Sequence, residues 1–154
     1  MAEVVTWGIV QHVKAALARI TVANGYLTDI GLGEIVDDRA RLKLCYSPVL
    51  LIVCGDVEPN GDGQGRSVMS SSMDISIECA VPFVVDNAER VAHHARVDIM
   101  RALLGAATRH VGGMGALVLT GSRFDNDISA AATPFTLAQV TARAGLTETF
   151  SPGN

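Results

Sequence analysis

Between Val4 and Val22 the apolar residues return every three or four positions, with Ile9, Val10, Val13, Ala16, Leu17 and Ile20 on one side and Gln11, His12, Lys14 and Arg19 on the other. That period predicts an amphipathic helix with one core-facing stripe. Asn24-Gly25 is expected to stop it, because both residues tolerate the left-handed backbone that ends helices. Gly25–Gly33 reads as a loop, and Glu34–Asp38 as a short strand opening the polar segment Glu34–Arg41. Tyr46–Gly55 is the strongest strand candidate: Val49, Leu50, Leu51, Ile52 and Val53 are consecutive and apolar, which suits a strand covered on both faces. Pro48 fits near its start. Asp56–Ser67 has no regular period and reads as a Gly-rich loop.

From Met73 to Phe83 the pattern alternates. Met73, Ile75, Ile77, Cys79, Val81 and Phe83 point one way, and Asp74, Ser76, Glu78 and Ala80 the other. This predicts a half-buried strand with one polar face. Helical spacing returns with Ala88, Val91, Ala92, Ala95, Ile99, Ala102 and Leu103, leaving Arg90, His93, His94 and Arg101 mostly outside. Asp86 or Asn87 can cap this second helix, and Gly105 or Gly112-Gly113 closes the segment. Leu117–Phe124 and Phe135–Arg143 read as two more strands, with Asp125-Asn126-Asp127 as the turn between them and Pro134 at the start of the last.

The order helix, strands, helix, strands predicts an α+β fold: a mostly antiparallel sheet of four to five strands with two helices on one face, in a single domain over residues 1–154. Two helices cannot cover both faces of such a sheet. A neighbouring subunit covering part of the Val49–Val53 run would reconcile its need for cover with the polar side of Met73–Phe83.

Composition sharpens this expectation. Charged residues are 18% of the chain against 49% apolar, below the roughly 25% charged of an average domain, which hints at surface normally covered by other subunits. The formal charge of -4 and scattered basic residues disfavour a tight grip on nucleic acid. Cys45, Cys54 and Cys79 are odd in number and lack a Cys-x-x-Cys pair, which fits reduced, mostly buried thiols and a protein folded in the cytosol. The start carries no signal-peptide pattern, and no apolar run approaches the ~20 residues of a membrane helix.

No catalytic, metal or cofactor site is expected. Gly61-x-Gly63-x-Gly65 is followed by a strand, whereas a phosphate cradle needs a helix opening directly after the glycines. Asp56-x-Glu58-x-Asn60-Gly61 imitates the start of a calcium loop, but Ser67 stands where a bidentate Glu is required. His93 and His94 diverge by about 100° on a helix, so they do not converge on one metal ion; Asp98 could join His94 on one side, but a solvated helix face is the better reading. His12 and His110 have no partner at ligand spacing. Gly-x-Ser-x-Gly is absent, and the few aromatic residues argue against base stacking.

One stretch is more specific. Ala23-Asn24-Gly25-Tyr26-Leu27-Thr28-Asp29-Ile30-Gly31, directly after an amphipathic helix, resembles the Asn-Gly-Tyr-x-Thr-Asp-hydrophobic-Gly segment of tail terminator (tail completion) proteins of long-tailed phages, similar to the lambda-like family. In order, Tyr46–Val53 looks like that family's strand after a Pro-containing lead, Asp74–Glu78 like its alternating strand, and Val97-Asp98-Ile99-Met100-Arg101-Ala102-Leu103 like part of its second helix. The long loop at Asp56–Ser67 is a departure. The resemblance implies a structural virion protein without enzymatic activity. Such subunits form a ring, typically hexameric, that caps the tail tube, ends tube polymerisation and joins the tail to the head-side connector or stopper protein. Its partners would be other copies of itself, the tube protein and the connector, with DNA passing through the lumen without specific binding. It would be assembled in the host cytoplasm and reside in the virion tail. A head–tail stopper or another minor tail ring protein is the alternative reading, and a small α+β enzyme a further one.

Within that picture Asp56, Glu58, Asn60, Asp62 and Arg66 of the Gly-rich loop are candidate contacts to a neighbouring subunit or the tube. Asp74, Ser76 and Glu78 are the candidate lumen face, where acidic groups would discourage DNA from sticking. Locally, Asn24–Gly31 reads as a corner: Tyr26 and Leu27 pack back on the helix end, Thr28 and Asp29 bond nearby amides, and Gly31 permits a second turn.

Overall fold

The computed structural model describes residues 4–38, 46–61, 67–109, 111–127 and 134–150. Two α-helices, α1 (Val5–Leu17) and α2 (Ala88–Ala107), accompany five strands: β1 (Glu34–Val36), β2 (Val49–Pro59), β3 (Val68–Pro82), β4 (Met114–Asp127) and β5 (Phe135–Thr149). The strands form one sheet in the order β1-β2-β3-β5-β4. Every neighbouring pair is antiparallel except β1 with β2, which is parallel. This is the α+β architecture that the alternation of periods predicts.

The core lies between the helices and one face of the sheet. Ile9, Val13, Leu17 and Ile20 are fully buried and join Ala95, Ile99 and Leu103 of α2 in one cluster, with Val91 packed at its margin. Met73, Ile75, Ile77, Cys79 and Val81 of β3 enter the same cluster, as do Ala138, Val140, Ala142, Ala144 and Leu146 of β5. The period-two reading of β3 therefore holds at every inward position from Met73 to Val81.

Several element boundaries differ from the sequence expectation. The first α-helix ends at Leu17, not near Val22, because Ile20 turns into the core and its carbonyl accepts the Gly31 N–H at 2.9 Å instead of continuing the helix. Asn24-Gly25 closes a later 3-10 turn, Val22–Asn24, with Gly25 left-handed at φ 87°. Asp56–Pro59 belongs to β2 and not to a loop: Val57–Pro59 pairs with Ser71–Met73, beyond a bulge between Cys54 and Val57 that holds Asp56. Asp125-Asn126-Asp127 is likewise no turn: these residues pair with Phe135–Leu137 of β5 at the end of β4. Interstrand pairing of the flanks overrides the turn preference of Asp and Asn. Asn87 precedes α2 in the left-handed region at φ 54° and makes no side-chain cap.

Val49, Leu50, Leu51 and Ile52 are all buried, as a strand covered on both faces requires. Leu50 and Ile52 enter the main core, while Val49 and Leu51 join Val36 of β1 in a second small cluster. The run is thus covered within one chain, and the neighbouring subunit invoked to cover it is not needed there.

Candidate functional site

Three surfaces carry the residues singled out by the sequence. The first is the corner Thr21–Gly33, and it is built from both ends. The Thr21 hydroxyl and the Asp29 carboxylate accept the N–H groups of Asn24 and Val22, at 3.2 and 2.8 Å, and the Asn24 amide donates to the Arg19 carbonyl at 2.9 Å. From α2, the fully buried carboxylate of Asp98 accepts the Leu27 N–H at 3.0 Å, the Thr28 N–H at 2.8 Å and the Thr28 hydroxyl at 2.7 Å. Arg101, one turn further, donates to the Gly25 carbonyl at 3.1 Å and lies over the Tyr26 ring at 4.8 Å. Gly31 is required by packing: a Cβ there would stand 2.5 Å from the Leu17 carbonyl oxygen and 2.7 Å from that of Ile20.

The local reading of the corner is right for Asp29 and for Tyr26, which packs on the core, and wrong for Leu27, which is half exposed. Thr28 bonds Asp98 rather than a nearby amide. Asp98 is the important residue that the sequence reading misplaces, although it stands three residues after Ala95 and four before Ala102, at the margin of the buried stripe. Its place four residues after His94 assigns it to a solvated helix face, yet it is buried and saturated with donors. The nearest signal was the run of unpaired amides that any tight corner must satisfy.

The second surface is the sheet face turned away from the helices. Asp74, Ser76 and Glu78 are half-buried there, opposite Arg143, Thr141 and Gln139 of β5. Arg143 pairs with Asp74 at 3.0 Å, Gln139 donates to Ser76 at 2.8 Å and to Glu78 at 3.2 Å, and Arg123 of β4 donates to Gln139 at 2.6 Å. The predicted alternation thus brings all three residues onto one polar face, but that face is a ladder of mixed sign and not an acidic strip. A shallow groove of about 320 Å³ crosses it, bordered by Val53, Gly55, Asp74, Thr120 and Arg143.

The third surface is the arm formed by the far ends of β2 and β3. From Cys54 to Gly61 every residue is exposed. β1 pairs only with Val49–Leu51, so beyond Leu51 one edge of β2 has no neighbouring strand among the described residues. Asp56 and Glu58 project from this arm, and neither carboxylate has an ion pair or hydrogen bond among the described residues. Asn60 is different: its side chain donates to Ser70 at 3.3 Å and accepts from Ser72 at 2.8 Å, so it stitches the arm together instead of reaching outward. Asp62 and Arg66 lie outside the described residues, as does Cys45. Since Asp56–Pro59 is strand, the resemblance to a calcium loop ends at the backbone.

The remaining candidates resolve individually. His93 stacks on Phe124 at 4.1 Å, whereas His94 borders a separate open groove of about 500 Å³ with Arg90, Leu27 and Pro48. His12 bonds the Ala106 carbonyl through Nε2 at 2.9 Å and so ties α1 to the end of α2. Burial pushes the Cys79 thiol up to about 12 and raises that of Cys54. Among the described residues, no group of three His, Cys, Asp or Glu side chains is placed to hold a metal ion, and no helix is long and apolar enough to cross a membrane. No protein-family model matches the chain, and no curated protein matches it in sequence.

Proposed function

We propose that this protein is a ring-forming subunit of a phage tail: a terminator that caps the tail tube, ends its polymerisation and joins it to the head connector. The observation that carries this reading is the bonding of Asp98 and Arg101 to the corner Gly25–Thr28. Two segments that resemble the terminator family, about 70 residues apart in sequence, meet as one interlocked unit. That the two segments meet in space supports reading the two likenesses together.

The surfaces are consistent with a ring. Large apolar residues stay exposed on several elements, among them Trp7, Leu32, Tyr46, Val84, Val118 and Phe150. Burying such groups between subunits is the ordinary source of association energy. In this reading the sheet face bearing Asp74, Ser76 and Glu78 lines the lumen. Mixed charges held in cross-strand bonds offer passing DNA no basic track to grip. Glu78→Lys would add one cation to that face and slow DNA passage while leaving rings intact. The arm is the contact element toward neighbouring proteins.

Size-exclusion chromatography with light scattering tests the ring directly. Closed oligomers of one defined mass, growing in with concentration, are expected. A monomer at every concentration up to the solubility limit would overturn the proposal and favour a monomeric enzyme or binding protein.

A further inference from the structure

The charges of the chain are segregated between its two layers. The five strands carry eight carboxylates against two guanidiniums. The two helices, with the two residues following each, carry six cations against two carboxylates, one of which is the buried Asp98. The carboxylates are thus concentrated on the sheet, and the helices carry an excess of cations, of which Lys14 is paired with Asp37.

Two places concentrate this asymmetry. On the arm, Asp56 and Glu58 are both exposed, and Val57 between them projects from the opposite face of the strand to Glu58. On the helical layer, a groove of about 200 Å³ lies between the ends of α1 and α2. Ala16, Ala102 and Ala106, all buried, form its floor, and Arg19 and Arg109 stand exposed at its rim. Neither guanidinium has an ion pair or hydrogen bond among the described residues, in contrast to Arg101 beside them, which is held by Gly25 and Tyr26. A side chain added at Gly105, also in the groove, would meet nothing within 4 Å, so the groove is open. The two unpaired carboxylates of the arm thus have a counterpart in two unpaired guanidiniums at the rim of the groove. In the single chain these two sets do not meet.

We propose that the β2–β3 arm of one subunit docks into the groove between the α1 and α2 ends of a second copy, with Asp56 and Glu58 meeting Arg19 and Arg109 at its rim. The inference rests on the ring reading and specifies its contact. A patch joined to a different patch on the next copy is a heterologous contact, the kind that closes into rings when the rotation allows. Paired isologously, by contrast, arm on arm or groove on groove would set like charges together.

Charge reversal separates this contact from others. The full-length wild-type protein is compared with Asp56→Lys/Glu58→Lys and with Arg19→Glu/Arg109→Glu by light scattering and negative-stain microscopy. Each double variant alone is expected to need more than about tenfold higher concentration to assemble, because like charges then oppose across the contact. An equimolar mixture of the two is expected to recover wild-type assembly, since each arm then finds an opposite charge in alternating order. The variant carrying all four changes should recover as well, which also shows that the reversals leave the fold intact. Rings from either double variant at wild-type concentration would overturn the contact while leaving the ring reading standing. Failure of both the mixture and the fourfold variant to recover would overturn it too. A wild-type protein that never assembles would overturn the ring reading together with this one. Unchanged rings that no longer cap tubes would assign the arm to the tube protein instead.

Discussion

Asp98 on α2 receives both hydrogen-bond donors of Thr28, the backbone N–H at 2.8 Å and the hydroxyl at 2.7 Å, across 70 residues of sequence. The carboxylate is fully buried, so these bonds replace its water. Asp98→Ala would leave the Leu27 and Thr28 amides without their acceptor and should cost roughly 2–4 kcal/mol. Thr28→Val removes one donor to a charged group and should cost about 1.5–3 kcal/mol. Denaturant unfolding measures both. If Asp98→Ala unfolds at the wild-type midpoint, the joint contributes nothing to stability.

Leu17 and Gly31 meet on the other side of the same corner. Leu17 is fully buried, and Leu17→Ala should cost about 2–5 kcal/mol. Gly31→Ala must push a Cβ against two backbone carbonyls and should cost about 1–3 kcal/mol or more. Thermal melting compares the two with wild type. A Gly31→Ala protein as stable as the parent would mean that the close approach of these segments relaxes freely.

Cys79 gives a pH signature. Its folded thiol is pushed up to about 12 by burial, from an ordinary 9.0. The thiol therefore ionises first in the unfolded chain. Its contribution to stability is fully present below about pH 9 and is lost as pH rises from there toward 12, with a slope of up to about 1.4 kcal/mol per pH unit. Cys79→Ala should flatten that alkaline fall in unfolding experiments run across this window. The native protein should also protect Cys79 from thiol reagents. Rapid native labelling of Cys79, mapped by mass spectrometry, would contradict its burial.

The arm offers a further variant. Replacing residues 61–65 with a two-residue turn leaves Asn60 and its bonds to Ser70 and Ser72 in place. The melting temperature should stay close to that of wild type while assembly or tail capping weakens. Unimpaired rings, and tails of normal length joined to heads, would reduce this segment to a connector.

Much of the fold was legible because periodicity reports burial. Ile9, Val13 and Leu17 announce their helix face, and Met73 through Val81 announce their strand, since each core position must recur with the backbone's own repeat. Where strands end was less legible. Asp56–Pro59 and Asp125–Asp127 are composed like turns but are held by partner strands distant in sequence, a nonlocal effect that local propensity does not contain. Of the site, the alternation placed Asp74, Ser76 and Glu78 together correctly, because that depends only on the two-residue repeat. It could not reveal Arg143 and Gln139 opposite them, nor the role of Asp98, whose value lies in a corner 70 residues away.

The role proposed for this protein is to end the growth of a tail tube. Electron microscopy of phage particles assembled without it tests that claim most directly, with the protein resupplied as the control. Tails of uncontrolled length that are not joined to heads are expected, with uniform, joined tails restored on resupply. Tails of normal, uniform length attached to heads in its absence would contradict that role.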